Sequence, residues 1–349
     1  MQDEYFMQQA IALARKGSGY VHPNPMVGCV IVKDNKILSE GYHEYYGGPH
    51  AEVNAIKNLE NKGFNDWDKV CLYVTLEPCA HFGKTPPCTN LIIQKGIKKV
   101  VIATTDPNPI VAGKGIHQLE KHGIEITTGV CEKQARDLNK RFFTFHLQKR
   151  PYIILKWAET KDGFISKKVF QSREENIISS PEALKIVHQW RSEEHSILVG
   201  YNTVLNDNPL LNVRLVKGKN PQKIVLDKYL SLNINQFNVF KGEEKVIIFN
   251  TIKENEGNHL IYRKIHWNVK EEEILKRLYD LNIVSVLIEG GSKTLQGFLD
   301  KKMFDEVRIL KSKNVEFRNG IEAPIANWND LKLQNQLALG NDNIIFLST

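Results

Sequence analysis

The chain has 349 residues, 42% of them hydrophobic and 25% charged, with a net charge of +7. That length allows about two domains of ~150 residues, each large enough for its own core, and the composition is globular rather than disordered. No apolar run approaches the ~20 residues that span a bilayer, the acidic start Met1-Gln2-Asp3-Glu4 is unlike a signal peptide, and the basic residues form no dense cluster, so a cytoplasmic protein with no membrane or nucleic-acid partner is expected.

Phe6, Ala10, Leu13 and Ala14 recur at helical spacing, so an amphipathic helix opens the chain and stops at Gly17-Ser18-Gly19. Val21 to Pro25 is a loop with Asn24 between two prolines. Val27–Val32 and Ile37–His43 read as a hairpin turned at Asp34-Asn35. A helix follows from His50 to Leu59, facing Ala51, Ala55, Ile56 and Leu59 inward. Val70–Thr75 is a strand that runs straight into Glu77-Pro78-Cys79. Helices over Cys88–Lys95 and Gly115–His122 then alternate with strands over Val100–Thr104 and Ile124–Thr128, and Asp106-Pro107-Asn108-Pro109 makes a turn. Such alternation belongs to an α/β layered domain.

The chemistry of this half is concentrated between His50 and Cys88. Five cysteines are an odd number for a disulfide framework, and in a reducing compartment ligation or burial is the usual fate. Cys29, Cys71 and Cys131 lie in or beside apolar runs and read as core. His50, Cys79 and Cys88 offer one imidazole and two thiolates, which suit a zinc ion with an open fourth position. Both metal-bearing segments, at His50 and at Cys79 to Cys88, sit at or near helix starts, where backbone N–H groups favour thiolate. Glu52, two residues past the histidine, is placed to move protons. The pattern follows the zinc deaminase signature H-x-E…P-C-x-x-C, except that eight residues rather than two separate Cys79 from Cys88.

That departure is specific. His50-Ala51-Glu52, the loop Cys79-Ala80-His81-Phe82-Gly83-Lys84-Thr85-Pro86-Pro87-Cys88 and Asp106-Pro107-Asn108-Pro109 resemble the bifunctional riboflavin-biosynthesis deaminase/reductase family. The resemblance implies a cytidine-deaminase-like αβα sandwich over residues 1–147. It implies Zn2+ on His50, Cys79 and Cys88, and Glu52 as the proton shuttle of a hydrolytic deamination. It also implies that Asn24, His43, Lys84, Thr85 and Asp106 hold the phosphorylated pyrimidine substrate.

Asn139 to Arg150 is basic and aromatic, and the domain boundary is expected there. Tyr152–Trp157 is a strand containing Lys156, and Thr160-Lys161-Asp162-Gly163 turns the chain. Ser180 caps a helix that has Pro181 at its first position and runs to Arg191. Strands are expected at Ile197–Gly200, Lys223–Leu226, Val246–Phe249 and Val284–Ile288, with a helix over Glu271–Leu281. Glu289-Gly290-Gly291-Ser292 opens a last helix, to Asp300. Glycines at such a strand-to-helix turn suit phosphate, but no G-x-G-x-x-G is present, so a Rossmann domain is not supported.

The family resemblance covers this half too, through Lys156, Asp162-Gly163, Ser180-Pro181, Arg191, Thr203 to Pro209, Arg214 and Glu289-Gly290-Gly291. It implies a dihydrofolate-reductase-like α/β domain over 148–349 that uses NADPH. Ala158, Thr203, Asp207, Gly291, Ser292, Lys293, Thr294, Leu295, Gln296 and Gly297 would line the cofactor site. Lys156, Arg191, Leu211, Arg214 and Glu289 would line the substrate site, with the arginines on its phosphate. Asn176-Ile177 stands where the family commonly has a tryptophan, and Trp157-Ala158-Glu159-Thr160 replaces a run of small residues.

The expectation is therefore a two-step enzyme of riboflavin synthesis. It deaminates a ribosylaminopyrimidine 5′-phosphate, then reduces the ribosyl group to ribityl with NADPH. A homo-oligomer is expected. One rival is a nucleoside or nucleic-acid deaminase with an accessory nucleotide-binding domain, which the long gap between the cysteines disfavours. Another is a zinc-stabilised binding module, in which Glu52 would have no use.

Overall fold

The computed structural model describes residues 2–82, 86–109, 111–327 and 330–349. It divides into two compact units, 1–149 and 150–349. Among the described residues no helix is long and apolar enough to cross a membrane.

The first unit runs α1 (Gln2–Ala14), β1 (Gly28–Lys33), β2 (Lys36–Tyr42), α2 (Ala51–Glu60), β3 (Cys71–Val74), α3 (Cys88–Lys95), β4 (Lys99–Ile102), α4 (Lys114–Lys121), β5 (Glu125–Thr128), α5 (Glu132–Leu138) and α6 (Lys140–Gln148). Its sheet has the order β2-β1-β3-β4-β5. β1 pairs antiparallel with β2 and β3, whereas β3, β4 and β5 are parallel. Successive strand residues point to opposite faces, and here both faces are covered. Cys29 and Ile31 pack with Ala51, Ala55, Ile56, Ile92 and Leu119 under α2, α3 and α4. Val30 and Val32 pack with Phe6, Met7, Ala10, Ala135 and Leu138 under α1 and α5. This is a three-layer αβα sandwich, and it explains why β1 is apolar without alternation.

Gly41 lets α2 lie close on β2. A Cβ there would stand 2.3 Å from Ala55 N and 2.4 Å from the Ala51 carbonyl oxygen. The close fit fixes the helix that carries Glu52.

The second unit runs β6 (Tyr152–Glu159), β7 (Phe164–Ser166), α7 (Pro181–Glu193), β8 (Ser196–Gly200), α8 (Tyr201–Asp207), β9 (Gln222–Leu226), β10 (Val246–Asn250), β11 (Asn255–Glu256) and β12 (Leu260–Lys264). It continues with α9 (Lys270–Asp280), β13 (Ser285–Ile288), α10 (Ser292–Asp300), β14 (Glu306–Ser312), β15 (Ile321–Glu322), β16 (Lys332–Leu339) and β17 (Asp342–Ser348). Ten strands form one sheet in the order β11-β12-β10-β9-β8-β13-β6-β14-β17-β16. The run from β12 to β14 is parallel, and β17 and β16 close the far side antiparallel. Ile274 and Leu278 of α9 and Leu295 and Phe298 of α10 cover one face of this sheet. Val187 and Trp190 of α7 and Val204 of α8 cover the other.

The α7 start is as the sequence implies: Ser180 Oγ accepts the Ala183 N–H at 3.2 Å, and Pro181 opens the helix. Three elements carry no sequence expectation. The basic and aromatic stretch after Asn139 is helix α6, which buries Phe142, Phe143 and Phe145. The segment containing Thr203 is the seven-residue helix α8. Residues 306–348 add three strands to the sheet beyond the last expected helix.

Candidate functional site

In the first unit the site is built where α2, α3 and the end of β3 meet. His50 is the N-cap of α2, with an extended backbone, and Glu52 falls in the first helical turn. Cys79 lies five residues past β3, and Cys88 is the first residue of α3 after Pro87. His50 Nδ1 stands 3.5 Å from Cys79 Sγ and 3.3 Å from Cys88 Sγ. All three ligand atoms lie within 4.8 Å of one another.

The donor set fits a zinc ion. With Zn–S of about 2.3 Å and Zn–N of about 2.0–2.1 Å, a tetrahedral centre needs an N···S edge of about 3.5 Å, close to the two distances found. The Cys88 backbone N–H also points at Cys79 Sγ, at 3.4 Å. The two thiols do not ionise alike, although both lie at the start of α3. A hydrogen bond from Cys88 brings Cys79 down to about 4. The same bond, together with burial, holds Cys88 well above the usual thiol range. The pair thus holds one proton, which a metal would displace.

Glu52 is 3% exposed, and burial raises its carboxyl above the usual range. A carboxyl so placed can hold a proton as well as release one.

His43 stacks edge-on against the His50 ring, with centroids 5.6 Å apart. The Pro49 carbonyl is 2.9 Å from His43 Nδ1, so that nitrogen donates, and Nε2 accepts from Asn24 Nδ2 at 3.1 Å. Asn24 and His43 are therefore brought together beside His50. Burial pushes the Asp106 carboxyl up to about 6, and its Oδ1 accepts the Asn108 N–H at 2.8 Å. Lys84 and Thr85 lie outside the described residues.

Sequence reasoning missed Glu77. It is 4% exposed and its two oxygens accept the N–H groups of Asp106, Gly113, Gly115 and Ile116, at 3.2, 3.0, 2.9 and 3.4 Å. Gly115 leaves room for this: a Cβ there would stand 2.0 Å from the Pro78 carbonyl oxygen. Thr89 Oγ1 ties Cys79 O, at 3.2 Å, to Gln118 of α4, at 3.0 Å. The start of α4 thus holds both cysteine segments and the Asp106 turn in one frame. The only sequence signal was an acid directly before Pro78-Cys79.

In the second unit a polar cluster sits where β13 ends beside the middle of β6. Arg191 of α7 grips Glu289 with Nε and Nη2, both at 2.8 Å, and gives Nη1 to the Asn212 carbonyl at 3.3 Å. Lys156 Nζ is 3.6 Å from the same carboxylate. Burial alone would raise Glu289, but Arg191 and Lys156 hold it down to about 2. Leu211 is buried with φ of 52°, and Arg214 is exposed with Nη1 on Asn212 Oδ1 at 2.9 Å.

Gly290 and Gly291, with φ of 156° and 59°, turn the chain from β13 into α10. A Cβ on Gly290 would stand 2.9 Å from Thr203 Oγ1, and one on Gly291 3.3 Å from it. Thr294 Oγ1 lies 3.8 Å from that second position. Thr203, Gly291 and Thr294 therefore converge, with the opening N–H groups of α10 directed out of the helix end. Glycine backbone at a helix start is a cradle for an anionic group such as a nucleotide phosphate.

Ser292 and Lys293 open α10 beside them, Ala158 is the last but one residue of β6, and Asp207 ends α8. Three residues turn elsewhere. Leu295 is in the core, the two ends of the Gln296 amide bond the Ile325 backbone, and Gly297 packs on the Glu271 carboxylate. Asn176, in the place of the common tryptophan, closes its own loop through Lys167 N and Ser166 Oγ.

Comparison with known proteins bears on both units. Residues 1–104 match the family described as the cytidine and deoxycytidylate deaminase zinc-binding region, and residues 151–312 match the RibD C-terminal domain. The chain is 46% identical over 314 residues to riboflavin biosynthesis protein RibD of Aquifex aeolicus (strain VF5), covering 88% of this chain and 86% of that one. It is 40% identical over 363 residues to the RibD of Actinobacillus pleuropneumoniae, covering 99% and 95%. A crystal structure of a diaminohydroxyphosphoribosylaminopyrimidine deaminase/5-amino-6-(5-phosphoribosylamino)uracil reductase from Thermotoga maritima superposes with a TM-score of 0.90 at 40% identity, over 99% of this chain and 98% of that one. Acinetobacter baumannii RibD superposes at 0.88 with 33% identity, over the same shares.

Proposed function

The chain belongs to the bifunctional riboflavin-biosynthesis deaminase/reductase family, and from that premise we propose how its residues divide the two reactions. It is a zinc-dependent deaminase in its cytidine-deaminase-like first unit and a reductase in its dihydrofolate-reductase-like second. The first reaction replaces the amino group of a diaminopyrimidine ribosylamino phosphate with oxygen. The second reduces its ribosyl group to ribityl.

The convergence of His50, Cys79 and Cys88 beside a buried Glu52 carries the deaminase assignment. Those three side chains would hold the zinc, whose chemistry is to lower the pKa of a water from 15.7 to about 7. Glu52 accepts a proton from the attacking water. It passes that proton to the ring nitrogen, then takes the second proton from the hydroxyl added to the ring carbon and gives it to the amino group, which leaves as ammonia. The His43–Asn24 pair and Asp106 bind the pyrimidine and its ribosyl phosphate together with Lys84 and Thr85.

In the reductase, NADPH is the proposed cofactor, with a phosphate group at the Gly290-Gly291 turn near Thr203, Thr294 and the start of α10. It supplies the hydride; the protein supplies orientation and charge. Lys156, Glu289, Leu211, Arg191 and Arg214 hold the aminouracil. Three of the five Arg191 N–H groups are spent on Glu289 and Asn212, which leaves two for the substrate phosphate. Assembly into a homo-oligomer is proposed on the exposed edge strand β16, whose Leu333 and Leu337 are 60% and 43% exposed. A cytoplasmic location is proposed on the five cysteines, none of them paired in a disulfide.

Arg191→Lys tests the substrate site. An ammonium cannot reproduce a planar fork. The substitution should raise the KM for the phosphorylated aminouracil by roughly tenfold or more, the loss of one charge-assisted hydrogen bond, and leave the KM for NADPH nearly unchanged. A fall in kcat as well would mean that the grip also aligns the ribosyl carbon for hydride transfer. Steady-state kinetics with each substrate varied in turn reads both. An unchanged aminouracil KM, or a loss confined to NADPH, would remove Arg191 from this site.

A further inference from the structure

The segment after α8 is held in a conformation its sequence does not favour. Leu211 is 3% exposed and sits at φ of 52°, the left-handed region that a leucine rarely adopts. Its neighbours are tied down one backbone group at a time. Asn212 gives its carbonyl to Arg191 Nη1 at 3.3 Å, Val213 gives its N–H to Asn220 Oδ1 at 2.7 Å, and Arg214 gives its N–H to His188 Nδ1 at 3.1 Å. His188 and Arg191 are three apart on α7 and so share one face of the helix.

His188 is 2% exposed. Burial, with Arg191 and Arg214 nearby, pushes it down to about 4. At neutral pH the ring is therefore uncharged and Nδ1 can accept; a charged imidazolium would have two donors and could not. Nothing in the two reactions assigned above uses this side chain.

We infer that His188 is a positioning residue of the reductase, whose Nδ1 fixes the Arg214 backbone so that the Arg214 guanidinium meets the substrate phosphate. This deepens, and rests on, the assignment of Arg214 to the substrate site. Arg214 is exposed, and its guanidinium is carried on the backbone whose N–H His188 holds. The Asn212 Oδ1 contact to Arg214 Nη1 travels with the same segment. The clamp therefore sets where both ends of that contact lie.

The test is reductase kinetics on the full chain, with the aminouracil supplied as its 5′-phosphate or without the phosphate. His188→Leu keeps the bulk and removes the acceptor. It should raise the KM for the phosphorylated substrate roughly fivefold to tenfold, the value of one buried hydrogen bond. It should leave the KM for NADPH and for the dephosphorylated substrate unmoved. His188→Asn places an amide oxygen near the position of Nδ1 and should restore most of the loss, whereas His188→Gln, one carbon longer, should not. This pair carries the test if the leucine variant does not fold, with thermal melting as the check on each.

Arg214→Ala should raise the same KM, and adding His188→Leu to it should cost nothing more, because one residue acts through the other. Full additivity in the double variant, an Asn variant as poor as the Gln one, or an unaltered KM in His188→Leu would overturn the inference while leaving Arg214 in the site. An Arg214→Ala variant with unchanged KM would overturn the site assignment itself, and the inference with it.

Discussion

Glu52→Gln should keep its zinc, lose deamination by ~10²–10⁴-fold, the usual worth of a general acid/base, and still reduce the deaminated aminouracil at the wild-type rate. The substitution is nearly isosteric, so α2 and the close contact at Gly41 are undisturbed. What it removes is the capacity to hold a proton in a buried site, where the carboxyl lies above its usual range. Metal retention is expected because Glu52 is not among the three ligand atoms that converge. Reduction is expected because the residues assigned to it lie beyond residue 149, in the other compact unit. Near wild-type ammonia release from this variant would deny Glu52 a catalytic role. Loss of reduction with the fold intact would mean that the two reactions are not independent.

Cys88→Ala should have the larger effect on metal. It deletes one of three protein ligands and leaves Cys79 without the partner that brings its thiol down to about 4. The remaining imidazole and thiol make a two-donor site, short of the three protein ligands of a catalytic zinc centre. Metal analysis after dialysis should find well below one equivalent of zinc per chain. Deamination should fall below detection, since water would keep its pKa of about 15.7. A full, tightly bound equivalent in Cys88→Ala would show that the ion sits elsewhere.

The cluster of His50, Cys79 and Cys88 was legible because its parts are chemically rare and close in sequence. A His-x-Glu at a helix start and two Pro-flanked cysteines have few other uses. The strands of the first unit were legible for a similar reason: β1 is buried on both faces and reads as an unbroken apolar run. Glu77 was not legible, because its role depends on four N–H groups from residues 106–116 that only the fold brings to it. Nor was the Arg191–Glu289 grip, which joins residues 98 apart in sequence. An arginine in sequence offers five donors, and nothing there says how many the protein itself will use.

The missed elements have their own causes. In α6, Phe142, Phe143 and Phe145 are all buried, so its apolar residues do not trace one helical stripe. β16 has seven of its eight residues exposed and shows no inward-outward alternation, so periodicity could not find it. Its place in the sheet comes from pairing with β17, which in turn pairs with β14.

The central claim is that one chain carries out both reactions in sequence, and one assay of the purified, zinc-loaded protein tests it most directly. The diaminopyrimidine ribosylamino phosphate is supplied with and without NADPH, while ammonia release and nicotinamide absorbance are followed together. The account predicts ammonia release with or without NADPH, and NADPH oxidation that lags behind it and reaches the same molar yield. NADPH oxidation without ammonia release, or ammonia release from a protein that cannot oxidise NADPH even when the deaminated aminouracil is added, would contradict it.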